Sequence, residues 1–219
     1  ARVSPELEGE IRSVLNMRRE EPVLVAGSTH DGEETAVLEV YRRLLDSRPD
    51  FRLILVPRHV ERGDAVAEQV RRAGFDDVIR MSEIRAGRNR GTERVVLIDV
   101  IGELFKVYSL ATIVFCGGSL VPKGGQNILE PAAWGKAVFY GPHMDDFQGE
   151  RALLEEAGAG VSVRNRDELF DGIRRLLDDP DLLRGKGEAG RRAVAANRGA
   201  AERYAAFIAD ALRRSDRVR

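Results

Sequence analysis

This chain has one cysteine, Cys116, and can therefore form no internal disulfide. A reducing compartment is the simple reading, and within its apolar run the thiol reads as a small core residue rather than a nucleophile. Histidine is nearly as scarce: His30, His59 and His143 lie far apart and lack metal-ligand spacing, so a metal site has little support. Lysine is confined to Lys106, Lys123, Lys136 and Lys186, and arginine supplies the remaining positive charge. The net charge of −1 provides no broad basic field, which argues against a nucleic-acid partner. No segment approaches the roughly 20 apolar residues of a membrane span, and no signal peptide is visible. The chain opens at Ala1 without an initiator methionine, and an upstream portion is expected to be missing.

What is present is a regular alternation. At 219 residues and 43% hydrophobic content the chain fits one large domain or one and a half small ones, and it can bury a real core. Short β-branched runs predict strands at Val23–Ala26, Arg52–Val56, Val78–Arg80, Val95–Ile98, Ile113–Cys116, Ala137–Tyr140 and Gly160–Val163. Amphipathic stretches predict helices at Glu33–Asp46, Gly63–Ala73, Gly102–Ser109, Asn127–Trp134, Asp146–Glu156 and Arg166–Asp178. Continuous rather than alternating apolar strands suit a parallel sheet buried on both faces. The fold class is therefore α/β, a Rossmann-like doubly wound parallel sheet. Residues 1–21 read as a linker helix, 22–180 as the Rossmann-like domain, and 181–219 as C-terminal helices with an apolar stripe at Tyr204, Phe207, Ile208 and Leu212. Glu83–Glu93 reads as an exposed loop.

The most informative stretch runs from Val114 to Pro142. Apolar residues break at Gly117-Gly118-Ser119, pass a second glycine pair at Gly124-Gly125, and enter Gln126-Asn127-Ile128-Leu129-Glu130. Glycines let the backbone approach an anion, and a helix start offers unpaired N–H groups, so a phosphate cradle is plausible. Two ordinary tight turns explain the glycine pairs equally well. Glu130 shifts the balance, because an acid one turn inside such a helix is placed to accept hydrogen bonds from ribose hydroxyls.

In an open α/β sheet, ligands bind beyond the carboxyl ends of the strands. The turn after the first strand reads Gly27-Ser28-Thr29-His30-Asp31-Gly32-Glu33-Glu34, whose hydroxyls and acids make a good helix N-cap. Pro57-Arg58-His59 follows the second strand; Arg58 could pair with a phosphate or carboxylate, or equally with Glu61 on the surface. Asp99-Val100-Ile101-Gly102-Glu103 follows the fourth, where Gly102 exposes backbone groups that a flat base could meet. After the sixth, Asp145 or Asp146 is expected to cap the next helix.

The motifs GSTHDGEE, PRHVER, DVIGEL, GGSL…GGQNILEPA and GPHMDDF, in that order and spacing, resemble the donor-binding half of 3-deoxy-D-manno-octulosonic acid (Kdo) transferases. The resemblance covers roughly Pro22 to Asp178. It implies the C-terminal domain of a GT-B glycosyltransferase that carries Kdo from CMP-Kdo to a lipid A precursor, by inversion, in lipopolysaccharide biosynthesis. Its last helix would dock back toward the N-terminal domain. Carried across, it implies that Arg58 and His59 hold the CMP phosphate. It places Ile101, Gly102 and Glu103 at the cytidine, and Asn127, Ile128, Leu129 and Glu130 at phosphate and ribose. Ser28, Gly118, Ser119, Gly125 and Gln126 would line the same cleft. Many members have His where Gln126 stands, and Gln cannot titrate. The family's catalytic base belongs to an N-terminal acceptor domain, so no catalytic residue is expected in this chain, nor any metal or cofactor. The intact enzyme would sit at the cytoplasmic face of the inner membrane, with no membrane segment here. A UDP-sugar GT-B enzyme or epimerase, or a nucleotide-binding module without chemistry, are the competing readings.

Overall fold

The computed structural model describes residues 3–216, with side chains through residue 198. Seven parallel strands form one sheet: β1 (Val23–Thr29), β2 (Arg52–Pro57), β3 (Val78–Arg80), β4 (Val95–Leu97), β5 (Ile113–Cys116), β6 (Ala137–Tyr140) and β7 (Gly160–Ser162). Their spatial order is β3-β4-β2-β1-β5-β6-β7. The chain builds outward from β1 through β2 to β3 and β4, then crosses back to start β5 on the other side. The order therefore reverses between β1 and β5, where a doubly wound sheet opens its crevice.

The apolar runs are continuous because both faces of the sheet are covered. Val23 and Val25 enter one core with Ile54, Val96, Val114 and Val138, while Leu24 and Ala26 enter the other with Leu53, Leu55 and Phe115. Helices α1 (Pro5–Val14), α2 (Glu33–Leu45), α3 (Gly63–Arg72), α4 (Met81–Arg85), α5 (Leu104–Val107), α6 (Leu129–Ala133), α7 (Gln148–Glu156), α8 (Arg166–Asp178) and α9 (Pro180–Asp216) flank it. Residues of α2, α3 and α8 fill the second core, and those of α1, α6 and α7 the first.

Several elements differ from the reading of the sequence. The first helix ends at Val14, because Asn16 takes a left-handed φ of 46° and turns the chain. Its inner face, with Ile11, and the following Leu15 and Met17 are buried in the first core. The helix expected from Gly102 begins at Leu104 and tightens into a 3₁₀ turn at Tyr108. The helix expected from Asn127 begins at Leu129, whose amide is capped by Asn127 Oδ1 at 3.0 Å. Neither Asp145 nor Asp146 caps α7; both lie in a 3₁₀ turn and Phe147 holds the cap position.

The stretch Glu83–Glu93 is not simply an exposed loop. It begins inside α4, and Arg90 is 2% exposed. The guanidinium donates to the carbonyls of Asn16 (3.0 Å) and Glu93 (3.0 Å) and pairs with Glu21 (3.4 Å). The stripe expected at Tyr204, Phe207, Ile208 and Leu212 lies outside the described side chains.

Candidate functional site

All seven strands run the same way, so every turn that follows a strand opens on one edge of the sheet. On that edge a pocket of 340 Å³ is lined by Ser28, Val56, Pro57, Arg58, His59, Ile101, Gly102 and Leu104. Residues from three separate turns, read independently in the sequence, thus meet in one place. A larger groove of 540 Å³ lies between α2 and α3, lined by Arg42, Arg43, Gln69 and Arg72. It sits on the flank of the sheet, away from the strand ends where the fold gathers its polar turns.

Each side of the pocket has a local cause. Ser28 is held at φ 54°, a left-handed conformation that costs a non-glycine residue free energy and turns β1 sharply at its end. Arg58 is exposed, and its backbone amide donates to Thr29 O at 2.9 Å, which pins the β2 turn to the β1 turn. Among the described residues no carboxylate pairs with Arg58; Glu61 approaches His59 Nδ1 instead, at 3.7 Å. Ile101 is 82% exposed, the most exposed large apolar side chain of the described residues, and offers a flat ring an apolar surface. Gly102 has φ 93° and open space where a Cβ would stand, leaving its backbone accessible. Glu103 is different. Its carboxylate is 9% exposed and engaged by Arg85 at 2.5 Å and Lys106 at 3.5 Å, and Glu103 does not line the pocket.

His30 is the residue that the sequence reading passed over. Its ring meets the His59 ring edge-on, with centroids 5.6 Å apart, and its buried Nε2 has no hydrogen-bond partner. Burial lowers its pKa below the ordinary imidazole value, and the neighbouring His59 and Lys123 add to that against the opposing pull of Glu33. The environment thus favours the neutral imidazole, and the ring stands beside His59 and the Arg58 end of the pocket. Nothing in the local sequence of His30 announces this, since His59 comes from another strand.

The glycine-rich segment after β5 holds a second surprise. The acids of the β1 turn do not simply decorate a helix start: Gly32 is the N-cap, with no side-chain cap bond, and Glu33 and Glu34 are buried. Glu33 accepts hydrogen bonds from the amides of Gly118 (2.6 Å), Ser119 (3.0 Å), Leu120 (2.9 Å) and His30 (2.9 Å). Glu34 pairs with Arg62 at 2.6 Å. Ser119 is fully buried, its hydroxyl donating to Cys116 O (2.5 Å) and accepting from Gly141 N (2.8 Å). Ser119 and the Gly118 amide are thus committed within the protein. Asp99, another acid at a strand end, is held by Arg80 (2.8 Å) and Ser82 (2.9 Å).

The second glycine pair differs. Gly125 N donates back to Gly118 O at 2.8 Å, and a Cβ on Gly125 would strike Met144 Sδ at 2.6 Å. Beyond it, no hydrogen bond among the described residues engages the amides of Gln126, Asn127 or Ile128. Ile128 itself is fully buried in the core, whereas Asn127 is exposed and Gln126 and Leu129 are half-buried. Glu130 follows one turn later. Burial pushes its carboxyl pKa up, and no described residue donates to it or pairs with it. With no donor among the described residues, this half-buried acid is open to donors from outside.

With that geometry in view, comparison with known proteins is decisive. No family model matches the chain. A 3-deoxy-D-manno-octulosonic acid transferase of Haemophilus influenzae is 34% identical over 90% of this chain and 46% of its own length. One from Aquifex aeolicus is 35% identical over 70% of this chain and 41% of its own. The chain belongs to the Kdo transferase family. The crystal structure of the C-terminal CMP-Kdo binding domain of WaaA from Acinetobacter baumannii superposes with a TM-score of 0.77, at 28% identity, over 86% of this chain and 96% of that one. The sheet and its flanking helices are those of a GT-B glycosyltransferase C-terminal domain. The chain spans less than half the length of the two relatives. Among the described residues no helix is long and apolar enough to cross a membrane, and no group of three or more acidic, histidine or cysteine side chains is arranged to hold a metal.

Proposed function

We propose that this chain is the donor-binding half of a Kdo transferase and that its cleft holds CMP-Kdo. The observation that carries the reading is the meeting of Ser28, Arg58, His59, Ile101 and Gly102 in one pocket at the carboxyl ends of the strands. Cytidine lies against Ile101 and the exposed backbone of Gly102. Arg58 faces the single phosphate, with His59 beside it, and Glu130 accepts from the ribose hydroxyls. The amides of Gln126 and Asn127 complete the polar wall.

In the transfer itself an acceptor hydroxyl on a lipid A precursor attacks the anomeric carbon of Kdo from the side opposite the phosphate. The bond to the phosphate oxygen breaks, and CMP leaves with the electron pair. Arg58 stabilises the charge that develops on that phosphate. The acceptor's proton goes to a base outside these residues, since Glu33, Glu34 and Asp99 are all engaged within the fold. The chain by itself then binds donor without turnover. The intact enzyme works at the cytoplasmic face of the inner membrane, where its lipid acceptor resides.

Calorimetric titration of the chain with CMP, and with UMP as control, tests this directly. Binding that favours CMP and weakens about tenfold to a hundredfold in Glu130→Gln is expected, since a hydrogen bond to a charged group contributes roughly 1.5–3 kcal/mol. Arg58→Ala should weaken CMP far more than free cytidine. Equal losses for the two ligands would remove Arg58 from the phosphate, and a preference for UMP would favour a UDP-sugar enzyme.

A further inference from the structure

Glu33 has an arrangement that the binding scheme above does not use. Its residue is 1% exposed, and its two oxygens collect four backbone N–H groups, three of them from the consecutive residues Gly118, Ser119 and Leu120. Successive amides converging on one point form an anion-binding nest. Here the anion is covalently part of the protein. Glu34, next in sequence, is neutralised by the guanidinium of Arg62 at 2.6 Å, whereas among the described residues Glu33 is held by backbone amides alone.

The nest cannot move aside to admit another anion. A Cβ on Gly117 would meet Ser28 O and Thr29 Cα, both at 2.6 Å, so β1 and β5 already touch there. Ser119 ties the same loop to Cys116 and Gly141 through its hydroxyl. The filled nest lies at the β1–β5 crevice, next to the pocket. His30 spans the two: its amide donates to Glu33, its ring meets His59, and its Cδ2 lies 3.3 Å from where a Cβ of Gly118 would stand.

We infer that Glu33 is a resident anion that occupies the β5-loop nest and restricts the cleft to donors with a single phosphate, making it a specificity-determining residue. The inference rests on the reading that the cleft takes a cytidine monophosphate. A second phosphate extending along the crevice from Arg58 would face a fixed carboxylate and find its amide donors already used. The same amides, without Glu33, would be a binding place for that second phosphate.

The test compares CMP with CDP by calorimetry on the wild-type chain, Glu33→Ala and Glu33→Gln, with thermal melts in the presence and absence of inorganic phosphate. The wild type should prefer CMP by about tenfold or more, and Glu33→Ala should shift the preference toward CDP by a similar factor. Glu33→Ala should also melt lower than wild type and recover when phosphate is added. Wild type, and Arg90→Ala as a variant weakened elsewhere, should show no such recovery. If Glu33→Ala does not fold, Glu33→Gln keeps the shape of the side chain, removes its charge, and should shift the preference in the same direction. An unchanged CMP-to-CDP ratio in a folded variant, or phosphate recovery equal in Arg90→Ala, overturns the assignment. If the wild type binds neither nucleotide, the reading of the cleft fails, while the phosphate-dependent melts still decide whether Glu33 fills an anion's place.

Discussion

At the scale of single residues, the carboxylates near the cleft divide by their partners. Glu33, Glu34, Asp99 and Glu103 are satisfied by the protein, whereas Glu130 is half-buried with no described donor. Burial raises its folded pKa above the unfolded value of 4.5, so its stabilising contribution is complete below that value and is lost as pH rises through the folded value. The ionised carboxylate therefore weakens the free protein at neutral pH. Glu130→Gln should raise the melting temperature at neutral pH, with the gain shrinking as pH falls toward 4.5, while the same variant loses CMP affinity. A variant that is both less stable at neutral pH and unaffected in binding would place Glu130 in a structural role. Its position was legible in the sequence from the glycine turn ahead of it. The engagement of Glu103 was not, because Arg85 and Lys106 reach it from separate helices.

At the scale of elements, the apolar runs and amphipathic stretches located the strands well, and errors collected where a side chain rather than a period sets the boundary. Asn127 ends the loop by capping Leu129, which shortens α6 to five residues and leaves little helix dipole behind the cradle. Asn16 likewise ends α1 through its left-handed backbone. The polar segment Glu83–Glu93 looks solvated by composition, yet Arg90 anchors it under the first helix by four bonds to Asn16, Glu21 and Glu93. Glu21 loses solvation there, but hydrogen bonds from the Arg18 amide, Arg90 and Arg52 outweigh that loss and lower its pKa. Its contribution is present above the unfolded carboxylate value and is lost as pH falls through the folded one. Removing one partner of a buried pair typically costs about 3–5 kcal/mol, so Arg90→Ala should lower the unfolding free energy extrapolated from urea titration by that amount at neutral pH. A change under about 1 kcal/mol would mean that water replaces the guanidinium without penalty.

At the scale of the whole molecule, β1 and β5 are the centre of the sheet, paired in register from Leu24–Ile113 to Gly27–Cys116. Cys116 lies there fully buried, and burial pushes its thiol up to about 12, against the smaller pull of a Tyr108 contact. A protonated thiol buried in the first core should react with an aromatic disulfide reagent only when that core opens. Its labelling rate should therefore fall with added CMP and rise with urea in step with global unfolding. Rapid labelling in native buffer would show that the crevice opens locally instead. The same central pair brings the β1 turn against the β5 loop, which is how Glu33 reaches Gly118, Ser119 and Leu120 across the fold.

The sequence by itself determined the α/β class, the parallel sheet, the strand-end turns that carry the polar residues, and the family. Those properties are written in local periodicity and in motifs whose order survives without a fold. Only the tertiary structure decided which of those polar residues are available. Whether Glu33 caps a helix or fills a nest, and whether His30 lies beside His59, depends on which strands are neighbours. Strand order is set by how the two cores pack on either face, and no short stretch of sequence contains that information.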